Sequence, residues 1–318
     1  MNRLPRISEI VPESVGWGFF LCARKELRSG RNGDFLTLML QDNTGQVVAK
    51  IFQDVDTLRH EFDAGEFVKV VGRGGIYHQR LELILDKIRR VHDPDRHDGF
   101  REEDCIPCAP RPIDDMWREL MEVVAREATN PWVRALLDRA LARYGERMRI
   151  WPAAQLVHHA YRGGLLEHVL KMSEVGVSLA KLYGADSSVV LAGVLLHDIG
   201  KLEELEYECV TRYSTAGNLL GHITLGAQAV SRLADSIEGF PADLEIEIAH
   251  LVLSHHGSRE FGSPVEPMTV EAFILAAVDD LDAKIHQVRR HVAEDEGEGA
   301  FTGYHPRLKR VLFKPSGR

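Results

Sequence analysis

Residues 189–201 read VVLAGVLLHDIGK, a wholly apolar run that ends in His197-Asp198 and continues through Ile199, Gly200 and Lys201. An apolar run with no polar face predicts a helix buried on every side. A histidine and an aspartate at the end of such a helix are costly unless they are paired or bound to a metal. The same dipeptide stands at 92–93 and 97–98, in a polar stretch where solvation accounts for it. Context, and not the dipeptide, singles out the third copy.

Working outward, eight of the fifteen histidines fall between 158 and 256. His168 precedes Met172, Val175 and Leu179 at helical spacing, which puts it on an apolar face. His222 follows the segment GNLLG, and His255-His256 close a helix before Gly257. Asp279 shares a face of the last long helix with Ala272, Ala276 and Ala283, although periodicity does not separate it from Asp280 or Asp282. Imidazoles with carboxylates suit borderline divalent ions such as Mn, Fe, Co or Zn. A carboxylate between two such ions holds them about 4 Å apart.

From Ile113 onward the pattern is helical, with segments at 113–128, 132–144, 165–183, 187–196, 223–236, 244–255 and 269–292. Pro131, Pro152, Pro241 and Pro267 stand at the joints. The stretch 294–318 reads as irregular. Upstream, apolar and aromatic runs at 17–23, 35–40, 47–52, 67–71 and 81–88 predict five strands, with a turn at QDNTG (41–45) and a helix at 54–62. Five strands with a helix between the third and fourth is the order of an OB-fold barrel, with an SH3-like barrel as the other arrangement. Residues 93–112 are rich in Asp, Pro and charge and read as a linker. The fold class is therefore a small five-stranded barrel followed by an all-α domain, divided as 1–92, 93–112 and 113–318.

The chain has 318 residues, 44% hydrophobic and 27% charged, with a net charge of −9. Residues 1–92 carry 14 Lys/Arg against 12 Asp/Glu, and the remainder 25 against 36, so a near-neutral module precedes an acidic one. Four cysteines are too few for a disulfide scaffold. Cys105 and Cys108 form a lone C-x-x-C, short of the four ligands of a structural zinc site. They read as incidental thiols, with reversible oxidation of an exposed pair as the other reading. An N-terminus without an apolar segment, and no run long enough for a bilayer, predict a cytoplasmic chain with no membrane partner. A homo-oligomer is compatible with this composition.

His168, the HDIGK segment, His222, His255-His256 and Asp279 together resemble the HD-domain metal-dependent phosphohydrolases. The segment HHAYRGGLLEH (158–168), the linker sequence RPIDDMW (111–117), the segment DDLDA (279–283) and the barrel-plus-helices order resemble the YhaM-type 3′→5′ exoribonucleases more closely, over about residues 15–315. This resemblance implies hydrolysis of single-stranded RNA, and often single-stranded DNA, from the 3′ end to nucleoside 5′-monophosphates by a metal-activated water. It implies two divalent ions, with Mn favoured over Co, Fe or Zn. His168, His197, Asp198 and Asp279 match the first metal site. Asp198 would bridge to a second ion held by His222 and His255, with His256 as a further candidate. Lys201 would contact the scissile phosphate, and His158, His159 and Arg162 would bind substrate. In the barrel, Lys25, Arg28, Arg31, Phe35, Lys50 and Phe52 are expected to face the strand, because OB folds bind single strands with aromatics in a basic groove. The competing readings are an HD phosphodiesterase for a small or cyclic nucleotide, and a non-catalytic protein that binds nucleotides or nucleic acid.

Overall fold

The computed structural model describes residues 2–30, 33–77, 80–153, 161–207, 211–295, 297 and 299–315; Arg31, His158 and His159 lie outside them. Two compact units divide the chain: Met1–Cys108 with Tyr207–Thr211, and Ala109–Glu206 with Arg212–Arg318.

In the first unit, strands β1 (Val15–Gly30), β2 (Gly33–Asp42), β3 (Gly45–Ile51), β4 (Phe67–Tyr77) and β5 (Arg80–Arg90) close in the order β1-β2-β3-β5-β4. Helix α1 (Val55–Glu61) joins β3 to β4. Neighbouring strands are antiparallel except β3 and β5, where Val48, Ala49 and Lys50 run parallel to Glu82, Leu83 and Ile84. This is the expected OB-type barrel. Period-2 alternation sends Leu36, Leu38, Leu40, Val68, Val70 and Leu83 inward. Asp42, in the predicted turn, is buried and accepts from the Thr44 N–H at 2.7 Å, the Thr44 hydroxyl at 2.6 Å and the Ile7 N–H at 2.8 Å. An Asx turn thus closes β2 onto β3.

β1 runs well past the apolar segment that predicts it. A register shift between Cys22 and Arg24 bends the strand, which pairs with β4 over Val15 to Leu21 and with β2 from Leu21 onward. The polar second half hides this continuation from hydropathy.

Lys25 lies in that half, and its ammonium is turned to the end of α1. It donates to the carbonyls of Leu58 at 3.2 Å, Arg59 at 3.0 Å and Phe62. A helix C-terminus leaves such carbonyls without partners and carries partial negative charge. Lys25 thus caps a helix, a role that its reading as a nucleic-acid contact did not include.

The segment after β5 packs against the barrel. Phe100, Cys105 and Ile106 are buried with Phe19 and Leu21. Asp95, 3% exposed, accepts from both guanidinium nitrogens of Arg89 at 2.7 Å and from Lys69 at 3.1 Å. The compact break therefore falls after Cys108, inside the stretch read as a linker. Cys105 is buried and its thiol is pushed up to about 12 by burial, so an exposed, oxidisable pair is corrected to an inert core thiol at this position.

The second unit contains α2 (Ile113–Glu127), α3 (Pro131–Ile150), α4 (Gly164–Tyr183), α5 (Ser187–Leu196), α6 (Lys201–Glu204), α7 (Thr215–Asp235), α8 (Ala242–Ser254) and α9 (Val270–Glu294). A two-stranded ladder, β6 (Leu205–Tyr207) with β7 (Thr211–Tyr213), interrupts the helices where only helix is expected. Helix α5 is the centre of the unit, with every residue from Ser188 to Leu196 buried. Its Gly193 permits the closest crossing: a Cβ there would stand 2.4 Å from Leu251 Cδ2 on α8. Helices α4, α8 and α9 surround α5, and together these four carry His168, His197, His255 and Asp279 to one place.

Candidate metal centre

His168 sits in the second turn of α4 and is fully buried, as its helical spacing predicts, although Val175 on the same expected face is exposed. His197 caps α5 and His255 caps α8. Between His197 and Lys201 the chain turns tightly, with Lys201 N–H donating to the Asp198 carbonyl at 2.9 Å. Gly200 makes the next approach possible, since a Cβ there would lie 1.9 Å from the His222 carbonyl oxygen. The expected loop before His222 is instead the first part of α7, broken at Gly221 by φ 71° and ψ 158°. That break aims His222 back at the end of α5.

Six imidazole and carboxylate groups form two trios, His168–His197–Asp279 and His222–His255–His256, each with its ligand atoms within 4.8 Å of one another. Asp198 lies between them. Its Oδ2 is 3.3 Å from His197 Nε2 and 3.9 Å from His168 Nε2. Its Oδ1 is 3.7 Å from His222 Nε2 and 3.9 Å from His255 Nε2. One carboxylate thus turns one oxygen to each trio.

The five imidazoles share a second property. Nδ1 of His197 lies 2.9 Å from the Val194 carbonyl, Nδ1 of His255 2.7 Å from that of Val252, and Nδ1 of His256 2.8 Å from that of Phe261. A carbonyl only accepts, so Nδ1 carries the proton and Nε2 presents its lone pair. His168 Nδ1 meets Asp282 Oδ2 at 2.8 Å, and His222 Nδ1 meets Glu204 Oε1 at 3.2 Å. Carboxylate–histidine pairs of this kind orient metal-binding imidazoles and raise their basicity. Meanwhile Asp198 Oδ1, His222 Nε2 and His255 Nε2 are buried without a hydrogen-bond partner. Buried polar atoms are rarely left so. Lone pairs converging at these separations suit a divalent ion at each trio.

The electrostatics agree. Burial disfavours a charged His168, yet the Asp279 and Asp282 carboxylates overcome it and push its pKa up to about 9. A proton there stands in for the cation the cluster attracts. Burial opposes ionisation of Asp198, but Lys201 and His197 hold it well below the usual carboxylate range. Burial, with His197 nearby, pushes His255 well below the ordinary imidazole value, so its lone pair is available.

Lys201 is buried with its Nζ 2.6 Å from Asp198 Oδ2. Arg162 is half-buried just before α4 and belongs to neither trio. Asp282 and Glu204 are the members that sequence reasoning did not assign. Their signal was present: Asp282 lies one helical turn after Asp279, and Glu204 three residues after Lys201. In the barrel, Phe35 and Phe52 form a ring pair with centroids 5.3 Å apart, and Phe52 is exposed. Lys50 is 2.7 Å from Glu82 and 4.2 Å from the ring centroid of Tyr77, while Arg28 is held by Glu26 at 2.7 Å.

Comparison with known proteins bears on the same residues. The HD-domain family matches residues 165–284, which span both trios. A 3′-5′ exoribonuclease YhaM of Bacillus pumilus is 36% identical over 89% of this chain and 88% of its own length. That of Bacillus subtilis is 35% identical over 80% of each. Among solved structures, the second OB-fold domain of replication protein A from Methanococcus maripaludis matches 29% of this chain and 97% of that one, at 21% identity and a TM-score of 0.25. The HD domain of the L. monocytogenes phosphodiesterase PgpH matches 49% of this chain and 74% of that one, at 19% identity and a TM-score of 0.27. With more than a third of its residues identical to the Bacillus pumilus protein across nearly nine-tenths of both chains, this protein is a member of the YhaM 3′-5′ exoribonuclease family.

Proposed function

We propose that this protein is a metal-dependent hydrolase that shortens single-stranded RNA from its 3′ end and releases nucleoside 5′-monophosphates, with single-stranded DNA as a second substrate and the cytoplasm as its location. The observation that carries the reading is the placement of Asp198, with one oxygen toward each of the two trios. In this reading His168, His197, Asp198 and Asp279 hold one divalent ion, and Asp198, His222, His255 and His256 hold a second, with Mn favoured. Such ions supply Lewis acidity that activates water and offsets phosphate charge. Asp282 and Glu204 orient His168 and His222 through their Nδ1 atoms. Lys201 balances Asp198 and sets a fixed cation beside the place where charge builds on the scissile phosphate. The helical unit carries the chemistry, and the barrel holds the strand through Phe35 and Phe52, with Arg28 and Lys50 adjoining and Arg31, His158, His159 and Arg162 as further contacts.

The test uses intact protein, metal analysis and RNA labelled at the 5′ end. The expected result is one to two divalent ions per chain and a descending ladder of labelled products. Asp198→Ala removes both ions and turnover. Immediate release of labelled mononucleotide would reverse the polarity. Turnover confined to a panel of small or cyclic nucleotides would replace the polymer with a small substrate.

A further inference from the structure

The residues that follow α9, expected to be irregular, are paired as a small two-sided hairpin. Phe301 with Phe313, and His305 with Arg310, form isolated antiparallel bridges. Thr302 N–H donates to the Leu312 carbonyl at 2.8 Å, His305 N–H to that of Arg310 at 2.9 Å, and Lys314 N–H to that of Ala300 at 2.8 Å. The turn closes through Lys309, whose φ of 52° is left-handed. Exposure differs between the two faces near the paired phenylalanines. Thr302, Leu312 and Lys314 are turned inward, whereas Phe301, Val311 and Phe313 are turned to solvent. The hairpin is anchored to the end of α9, with His291 Nε2 3.0 Å from the Gly303 carbonyl and Lys314 Nζ 2.6 Å from Asp295 Oδ1.

The solvent face of such a hairpin is ordinarily polar. Here it presents Phe301 and Phe313, 58% and 59% exposed, as a cross-strand ring pair with centroids 5.6 Å apart. Tyr304 is also exposed. Residues 299–315 contain four basic side chains, Arg307, Lys309, Arg310 and Lys314, and no acidic one, in a chain whose net charge is −9. Lys314 is taken up by Asp295, and the exposed aromatic rings, with Arg307, Lys309 and Arg310 on the same hairpin, match bases and phosphates of a single strand.

We propose that the 300–314 hairpin is a second single-stranded RNA contact, which stacks bases on Phe301 and Phe313 and holds phosphates with Arg307 and Arg310. The inference rests on the nuclease reading above. Helix α9 carries Asp279 into the metal centre and reaches His291 about 18 Å further along its axis. The hairpin is tied to that end, so it meets nucleotides upstream of the terminal one. It therefore acts on strands of several nucleotides.

The test uses full-length Asp198→Ala protein, so that no turnover occurs, and a fluorescent single-stranded RNA of about 16 nucleotides. Phe301→Ala/Phe313→Ala weakens binding about tenfold or more, because each stacked base is lost separately. Phe301→Tyr/Phe313→Tyr restores it. Arg307→Gln/Arg310→Gln lowers affinity and reduces the salt slope by about 1.4, at about 0.7 per phosphate contact on a single strand. Tyr183→Ala, an exposed aromatic elsewhere on the same unit, leaves affinity unchanged. Folding of each variant is checked by circular dichroism, and the arginine pair keeps the test open if the alanine pair fails to fold. Parental affinity in both the alanine and glutamine variants overturns the proposal. So does a change in the sedimentation of RNA-free protein with RNA affinity intact, which assigns the face to a protein contact. Failure of the nuclease reading is read separately: with Asp198 restored and Mn²⁺ supplied, intact protein releases no nucleotide, and the hairpin's role as a substrate contact falls with it.

Discussion

Asp282 lies behind His168, and its removal should be felt at the metal. Its Oδ2 accepts a hydrogen bond from Nδ1–H of a fully buried imidazole at 2.8 Å. Loss of such an outer partner typically costs 10–100-fold in metal affinity, about 1.4–2.7 kcal/mol. Asp282→Asn keeps an acceptor oxygen but not its charge, so about tenfold is expected. Asp282→Ala leaves the buried Nδ1–H without its acceptor and moves the loss toward about a hundredfold. Asp280→Asn is the matched control, since Asp280 is exposed and pairs with Lys284 at 2.5 Å. The assay is competition with a graded chelator, reading bound ion per chain in the three variants. Wild-type retention in both Asp282 variants would refute the assignment of His168 as an oriented ligand.

Three further outcomes follow from the geometry. Lys25→Met should lower barrel stability by about 1–3 kcal/mol in urea unfolding, through the unsatisfied α1 carbonyls, while RNA affinity stays at the wild-type level. Asp95→Asn should cost about 1.5–3 kcal/mol at neutral pH. Arg89 holds the Asp95 carboxyl well below its ordinary range, so this stabilisation is present above the unfolded value of about 3.9 and is lost as pH falls through and below it. The wild-type advantage over Asp95→Asn should therefore shrink progressively below about pH 4–5, and a constant gap down to pH 2 would contradict the ion pairing. Gly200→Ala forces a methyl onto the His222 carbonyl, 1.9 Å away; metal analysis should show loss of the ion at His222, His255 and His256, with an overpacking cost of about 1–3 kcal/mol in thermal melts.

Hydropathy made the barrel strands and the long helices legible because burial writes a period into sequence. It also found His168, one turn before the buried Met172, and the buried end of α5. It did not distinguish Asp279 from Asp282, because both lie on one side of α9 and their difference is one of depth: Asp279 meets the trio and Asp282 stands behind it. Glu204 was hidden for a related reason, since its partner His222 arrives from a helix broken at Gly221. The capping role of Lys25 was hidden because a cation in a polar strand looks solvated until the carbonyls of α1 are seen beside it. The packing of Phe100, Cys105 and Ile106 is sparse in sequence, with charged residues between the apolar ones, so it resembles a tether. The terminal hairpin has its apolar side chains facing outward, the reverse of the pattern by which strands are recognised.

Helices α5 and α8 both end at a candidate ligand, His197 and His255, and each of these imidazoles bonds back to a carbonyl of its own last turn. The carboxyl ends of two helices therefore converge on the metal centre, and each contributes roughly half a negative elementary charge from its peptide dipoles. That attraction belongs to the main chain and cannot be deleted by changing a side chain. A variant stripped of one ligand should still concentrate cations loosely at this spot. The backbone would thus add its own attraction for a cation to that of the side chains.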